Sequence, residues 1–572
     1  MTLTTLTLLH GLLRRPLRTL MAGCRPSAGR SPASFSYRYF LQRAGLAPLL
    51  LSLCLLIPAA VTAQENFDII ISNGRLVDGT GNPWVRGDVG IEGDRIVRIG
   101  DLSTATATTV IDARGLVVAP GFIDPHTHAL RGIFDVPTAD SALLQGVTTL
   151  TEGNDGSSPF PIDEHYRQIE ATGISPNWAV FVGQGTIRSQ VIGATDRTAT
   201  AEELQRMQAM VAEAMEQGAL GLSTGLFYVP GSFTPTDEVI ALSRVAADYG
   251  GIYISHMREE AAQLLESVQE TIEIGEQAGI PVQITHHKVI GAGNWGMSVD
   301  SLRLVDQARA RGIDVTMDQY PYTASQTGIT ALIPQWAQEG GRDRMLERID
   351  SPETRPAVKT AVVEKILYDR GGGHPRNVFI SRSTWDRNLE GKNLAELASA
   401  RGMEPTPENA AEVVFDIIRG GGATAVYHAI GADDVDRIMQ HPAAAVGSDG
   451  PLGVFGEGAP HPRQYGTFAR VLGHYVRERG VISLEEAIRK MTSLSAQRLS
   501  LRNRGLLAQG FFADIAVFDP KQISDRATFA EPHQYAVGMK YVLVNGEIVV
   551  ADGRHTGRRP GRILHGPGYT GN

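Results

Sequence analysis

Between residues 121 and 447 the sequence repeats one unit, a helical stretch, a glycine and a short apolar run, and few folds accommodate that repeat. Thr200 to Gln217, Gly218 and then Ala219 to Thr224 form one copy, with Thr200 and Glu203 spaced as a capping box. Val239 to Tyr249 precedes Gly251 to His256. Ser267 to Ala278 precedes Gly279 and Val282 to His286, and Ser301 to Arg311 precedes Gly312 and Val315 to Asp318. Spacings of about thirty residues are those of β-α units joined into a parallel sheet. Gly121 to Pro125, Val147 to Glu152, Ala179 to Gly183 and Ala444 to Gly447 bring the apolar runs to eight. The sequence therefore predicts an α/β chain built on a (β/α)8 TIM barrel.

One interval breaks the rhythm. About 125 residues separate Asp318 from Ala444, too many for a simple crossover, so an inserted subdomain is expected over about 330–425, before the last barrel strand. An insertion after a barrel strand lies over the active-site face, where it can act as a lid. Both ends of the chain read as β. Phe67 to Ser72, Asn73-Gly74 and Arg75 to Val77 are mirrored late in the chain by Tyr541 to Val544, Asn545-Gly546 and Glu547 to Val550. Asn-Gly between apolar runs signals a hairpin. With Asp88 to Ile91, Arg95 to Ile99 and Ala513 to Phe518, the two ends predict one small β-sandwich, made of 64–122 and 501–572 around a barrel of 123–500.

Residues 1–63 hold seven arginines and no Asp or Glu. They end in the apolar run Leu46 to Ala60 and the small-residue segment Val61-Thr62-Ala63, the pattern of a signal peptide cleaved near Ala63-Gln64. The apolar run is short for a membrane span, so no stable membrane insertion is expected after cleavage. Loss of the leader takes the formal charge from −9 to about −16, which argues against a nucleic-acid partner. Both cysteines, Cys24 and Cys54, lie in this leader, so any metal site in the rest of the chain must use nitrogen and oxygen ligands.

Catalytic groups of a barrel gather at the C-terminal ends of its strands. His126 and His128 stand there in Pro120-Gly121-Phe122-Ile123-Asp124-Pro125-His126-Thr127-His128, at an i, i+2 spacing that turns both imidazoles to one side. Asp155 follows the second strand in Gly153-Asn154-Asp155-Gly156. His256 ends the fifth strand, His286 the sixth, and Asp449 follows the eighth. Four imidazoles and two carboxylates converging on one mouth suit Zn²⁺ or a similar divalent ion, one or two in number.

These motifs, with Ser255-His256, His286-His287-Lys288, Ser448-Asp449 and Ala513-Asp514-Ile515, resemble the amidohydrolase superfamily. Gly221-Leu222-Ser223-Thr224-Gly225-Leu226, Ser255-His256-Met257-Arg258-Glu259-Glu260, Asp318-Gln319-Tyr320-Pro321-Tyr322 and His461-Pro462-Arg463-Gln464-Tyr465-Gly466 resemble its N-acyl-D-amino-acid deacylase (D-aminoacylase) family. That branch carries a cysteine in a Gly-Asn-Cys-Gly turn, where this chain has Asp155. The fourth strand has no lysine, so a carboxylated-lysine bridge is not expected.

The resemblance implies that His126, His128, Asp155, His256 and His286 hold metal and that Asp449 is the catalytic acid-base group. It also implies that Arg463, Lys288, Tyr228, Tyr427, Tyr320 and Ser325 contact substrate. The reaction it implies is hydrolysis of a linear amide, with an N-acyl-D-amino acid as the small-molecule partner. A peptidase acting on short or D-residue-containing peptides would use the same groups. A catalytically silent binding protein on the same scaffold would not need them. Export is the expectation that stands on sequence alone: mass analysis of the chain recovered outside the cytoplasm should find a start near Gln64, and an intact leader on a cytoplasmic protein would contradict it.

Overall fold

A computed structural model describes residues 65–571. The leader of 1–63, its cleavage near Ala63-Gln64 and both cysteines lie outside the described residues. Among those described, no helix is long and apolar enough to cross a membrane.

Eight parallel strands follow one another around the barrel: Phe122–Asp124, Val147–Glu152, Asn177–Val180 continuing as Val182–Gly183, Gly221–Gly225, Ile252–His256, Val282–Ile284, Val315–Gln319 and Ala444–Val446. Neighbouring residues of a strand enter different apolar clusters, as a side-chain period of two requires. Ile123, Ala179, Phe181, Ile252 and Ile254 pack together, while Phe122, Trp178, Val180, Val182 and Tyr253 join the larger core shared with the helices. Closure comes just beyond the eighth strand. Gly450–Pro451 pairs in parallel with Thr127–His128, and the amides of Ser448 and Asp449 bond to the Asp124 carboxyl and the His126 carbonyl at 2.9 and 2.8 Å. The expected capping box at Thr200 is present, Thr200 accepting from the Glu203 amide and Glu203 from the Thr200 amide.

The two chain ends form one continuous nine-stranded sheet. The two Asn-Gly pairs in it behave differently. Asn545-Gly546 links Met539–Val544 to Glu547–Ala551 as a two-residue hairpin, with φ of 50° and 83°, the left-handed pair such a turn demands. Asn73-Gly74 makes no hairpin: a single strand, Asn66–Leu76, runs through it with a bulge, Asn73 at φ 62°. The bulge divides that strand's pairing, its first half lying beside Thr106–Asp112 and its second beside Val117–Pro120.

The insertion is a separate packing unit. Its three-stranded antiparallel sheet places Thr424–Tyr427 between Ser325–Gly328 and Val378–Arg382. Helices Arg342–Asp350, Arg355–Tyr368, Leu394–Ala400 and Pro407–Gly420 bury Val358, Val362, Val414, Phe415 and Ile418 against it in a second core, which Phe227 joins from the loop after the fourth barrel strand.

Asp514 latches the terminal sheet to the barrel. Its carboxylate accepts from the Asn545 amide at 2.7 Å, from Asn177 Nδ2 on the third barrel strand at 3.2 Å, and from Arg504. Arg504 also donates to Asn545 Oδ1 at 2.8 Å, and all four residues are buried. Removing one partner of a buried ion pair strands the other charge, at about 3–5 kcal/mol. Asp514→Ala should therefore lower the unfolding free energy from urea titration by that amount, and a loss below about 1 kcal/mol would show that the latch carries little.

Candidate metal centre

Asp155 stands in a turn whose backbone is almost wholly left-handed, with φ of 81° at Gly153, 55° at Asp155 and 75° at Gly156. Glycine is required at both flanks. A Cβ at Gly153 would lie 2.1 Å from the Phe181 carbonyl oxygen, and one at Gly156 would lie 2.7 Å from the Gly225 nitrogen. The turn thus lies flat against the third and fourth strands and pushes the Asp155 carboxylate into the mouth. His286 and Asp449 also hold positive φ, 37° and 50°. Such backbone costs about 1–3 kcal/mol per residue and persists where packing over-determines it, commonly at functional sites.

The Asp155 carboxylate lies between two pairs of histidines. Oδ1 is 3.5 Å from His126 Nε2 and 3.5 Å from His286 Nε2. Oδ2 is 3.4 Å from His128 Nε2 and 3.6 Å from His256 Nδ1. Asp449 Oδ1 completes one side, 3.1 Å from His128 Nε2 and 3.7 Å from His126 Nε2. Two donor sets result, His126, His128, Asp155 and Asp449 in one and Asp155, His256 and His286 in the other, with ligand atoms in each within 4.8 Å of one another.

A divalent cation fits this arrangement. His126 Nε2 and Asp155 Oδ1 are buried without a hydrogen-bond partner, which water-free protein tolerates poorly. Burial works against charge on His126, yet Asp155 and Asp318 outweigh it and hold that imidazole well above its usual range. Burial would likewise raise Asp155, but His286 and His126 hold its carboxyl well below the usual carboxylate range. The carboxylates, in other words, hold positive charge at this point, and an all-nitrogen-and-oxygen donor set is one that Zn²⁺ and harder ions accept.

The other expected residues divide into those that reach the cavity and those that do not. Arg463, Lys288, Tyr228, Ser325, Asp449, Asp155, His128, His256 and His286 line one cavity of about 820 Å³ over the mouth. Arg463 donates to Asp449 Oδ2 at 2.6 Å and to the Gln326 carbonyl at 3.2 Å, while its Nε has no partner. Lys288 is committed to Glu260 at 2.5 Å and to the His286 carbonyl at 2.8 Å. Tyr228 bonds to Thr327 Oγ1 at 2.9 Å, and Ser325 Oγ is without a partner. Tyr320 and Tyr427 do not line the cavity. Tyr427 gives its hydroxyl to the Gly328 carbonyl inside the insertion, and Tyr320 lies beneath the Arg463 guanidinium, 4.8 Å from ring centre to Cζ.

Three charged residues stand behind the cluster that the sequence reading did not single out. Asp318 Oδ1 is 3.3 Å from His126 Nδ1 and accepts the His286 amide at 2.8 Å, so one carboxylate orients a histidine and a strand end together. Glu260 backs His256 and His286, and Arg370 reaches Glu260 from the insertion. Glu260 follows His256 by four residues, a spacing visible in the sequence. Arg370 had no such signal.

Comparison with known proteins agrees with this geometry. The amidohydrolase family model matches residues 109–550. The chain is 37% identical over 527 residues to D-aminoacylase of Alcaligenes xylosoxydans xylosoxydans, covering 88% of this chain and 98% of that protein. It is 36% identical over 523 residues to N-acyl-D-glutamate deacylase of the same organism, covering 88% and 97%. A solved N-acyl-D-glutamate deacylase from Bordetella bronchiseptica, complexed with zinc and a phosphonate inhibitor, superposes with a TM-score of 0.74 at 35% identity over 88% of this chain and all of that one. D-hydantoinase, at a TM-score of 0.51 and 16% identity, shares the fold.

Asp155 belongs to both donor sets, so its loss should empty both. In Asp155→Ala, and in Asp155→Asn, which keeps a side chain tolerant of positive φ, metal content by mass spectrometry should fall together with activity. Full occupancy with near-native activity would leave Asp155 a turn residue.

Proposed function

The chain belongs to the amidohydrolase family, and we propose that its cavity hydrolyses the linear amide bond of N-acyl-D-amino acids, giving a carboxylate and a free D-amino acid. One observation carries this reading: the ionised Asp449 carboxylate stands at the edge of a two-set metal centre and beside the Arg463 guanidinium, in one cavity sized for a small substrate.

His126, His128, Asp155, His256 and His286 would hold one or two divalent ions, zinc among them. Bound metal supplies Lewis acidity, polarising the scissile carbonyl and lowering the pKa of water. Burial alone would raise the Asp449 carboxyl, but Arg463 and then His128 hold it well below the usual range, so it enters the reaction ionised. With Oδ1 toward the histidines that would hold metal, Asp449 is placed to take the proton of the attacking water and return it to the leaving amine. Its Oδ1 faces the histidines and its Oδ2 is held by Arg463, which fixes the carboxylate's orientation.

Arg463 lines the cavity with its Nε unpartnered, and a planar guanidinium suits the substrate's α-carboxylate. Tyr228 and Ser325 are the neutral donors on the same wall. Lys288, with its ammonium taken by Glu260 and His286, serves the cluster more directly than the substrate. The D configuration follows the relatives' named substrates. We also propose that the protein acts in the periplasm or is secreted, which the arginine-rich opening and the apolar run after it support.

Zinc-loaded protein offered paired N-acetyl-D and N-acetyl-L amino acids should release free amino acid from the D series. Asp449→Asn should lower kcat by roughly 10² to 10⁴, the worth of general acid-base help, with the fold retained. Release from no N-acyl-D substrate, or near-native turnover in Asp449→Asn, would overturn the assignment.

A further inference from the structure

Glu260 is buried, charged and unused by the chemistry above, and four polar side chains converge on it. Its Oε1 receives Lys288 Nζ at 2.5 Å and lies 3.1 Å from His286 Nδ1. Its Oε2 lies 3.5 Å from His256 Nε2 and receives Arg370 Nη2 at 3.2 Å. Each imidazole turns its remaining nitrogen, His286 Nε2 and His256 Nδ1, toward Asp155, and these two atoms are 2.7 Å apart. If the two inner nitrogens bind metal, the ring protons must sit on the outer ones. Those outer atoms both face Glu260. Lys288 Nζ also lies 2.6 Å from His286 Nδ1, so Glu260 and its lysine border that imidazole together, while His256 Nε2 meets the carboxylate's charge at 3.5 Å. One carboxylate thus stands behind two ligands at once, the position from which an outer carboxylate tunes a metal-binding histidine.

Three of the four groups belong to the barrel, and Arg370 alone comes from the insertion. It follows the helix Arg355–Tyr368 and is 2% exposed. Its backbone is held firmly on the insertion's side. A Cβ on Gly371 would lie 2.3 Å from the Ile366 backbone, one on Gly372 would lie 2.3 Å from the His428 carbonyl oxygen, and Asn377 Nδ2 bonds to the Gly372 carbonyl at 2.9 Å. On the barrel's side the guanidinium lies over Phe227, 4.1 Å from its ring centre, and the Phe227 ring is 5.7 Å from that of His256. Arg370 therefore ties Glu260 to a part of the insertion whose backbone is closely held.

We propose that Arg370 is a positioning residue that couples the seating of the insertion to metal affinity at His256 and His286, so that the centre binds metal tightly only beneath a closed insertion. This rests on the metal-centre reading above. By reciprocity, whatever the seated insertion adds to metal affinity, bound metal must add to the seating of the insertion.

The test uses the full chain and Zn²⁺ itself. Chelator competition should show Zn²⁺ affinity lowered about 10- to 100-fold in Glu260→Gln and in the same direction, about tenfold, in Arg370→Met, with Arg370→Lys returning toward the native value. Zn²⁺ should also slow amide hydrogen exchange across residues 355–377 in the native protein and lose that effect in Arg370→Met, a readout that a merely structural arginine would not move. Should Arg370→Met unfold, the native exchange experiment still decides. Native-like Zn²⁺ affinity in folded Arg370→Met, or exchange over 355–377 indifferent to bound Zn²⁺ in the native chain, overturns the coupling. Failure of the native protein to bind Zn²⁺ or any other divalent ion would instead overturn the metal-centre reading.

Discussion

Everything at the mouth of this barrel depends on one carboxylate placed between four imidazoles. Asp155 lies within 3.6 Å of His126, His128, His256 and His286, each oxygen facing one member of each pair. Bringing such groups together out of water is unfavourable unless their charges and hydrogen-bonding atoms are satisfied. The surroundings meet that demand from behind. Asp318 stands against His126, and Glu260 against His256 and His286. Among the buried atoms without a hydrogen-bond partner, His126 Nε2 and Asp155 Oδ1 face inward, while His126 Nδ1 and His256 Nε2 face these outer carboxylates.

The fold meets the same demand through its backbone. Barrel strands deliver His126, His128, His256 and His286 to one rim, but a strand end alone does not bring a short side chain such as aspartate to the centre. Asp155 and Asp449 both reach it from residues in the left-handed region, and His286 turns inward the same way. Closure of the barrel is part of this geometry, since the amide that follows Ser448 bonds to the carbonyl of His126 itself. A shift in closure would move a ligand and the catalytic carboxylate together.

The sequence showed most of this because the signals are local. Eight apolar runs and the polar residues ending them were enough to expect the barrel and its metal cluster, and the structure brings His126, His128, Asp155, His256, His286 and Asp449 to one place. What it did not show depends on contacts distant in the chain. Asn73-Gly74 and Asn545-Gly546 carry the same local signal, but only the second becomes a hairpin. The residues before Asn73 pair with Thr106–Asp112 and those after it with Val117–Pro120, so the chain bulges and runs on. The family resemblance implies a substrate contact for Tyr427. Its strand lies in the middle of the insertion's sheet, where its hydroxyl meets Gly328, and no local pattern tells a central strand from a cavity wall.

The insertion explains how one barrel can keep its metal side fixed and vary the side that meets substrate. Val362, Phe415, Ile418 and Ala425 pack in a core of the insertion that Phe227 and Tyr228 join from the barrel. The insertion's approach to the mouth combines the Phe227 ring with polar contacts. Arg370 meets Glu260, Gln326 accepts the His461 amide at 3.0 Å through its side chain, and the Gln326 carbonyl takes Arg463 at 3.2 Å. Hydrogen bonds of this kind fix register and angle while contributing only about 0.5–1.5 kcal/mol each, or about 1.5–3 where one partner is charged. A cap held by a few directional bonds can be rebuilt, loop by loop, without disturbing the histidines beneath it. The Arg370 and Gln326 contacts are what fix its seat over the mouth.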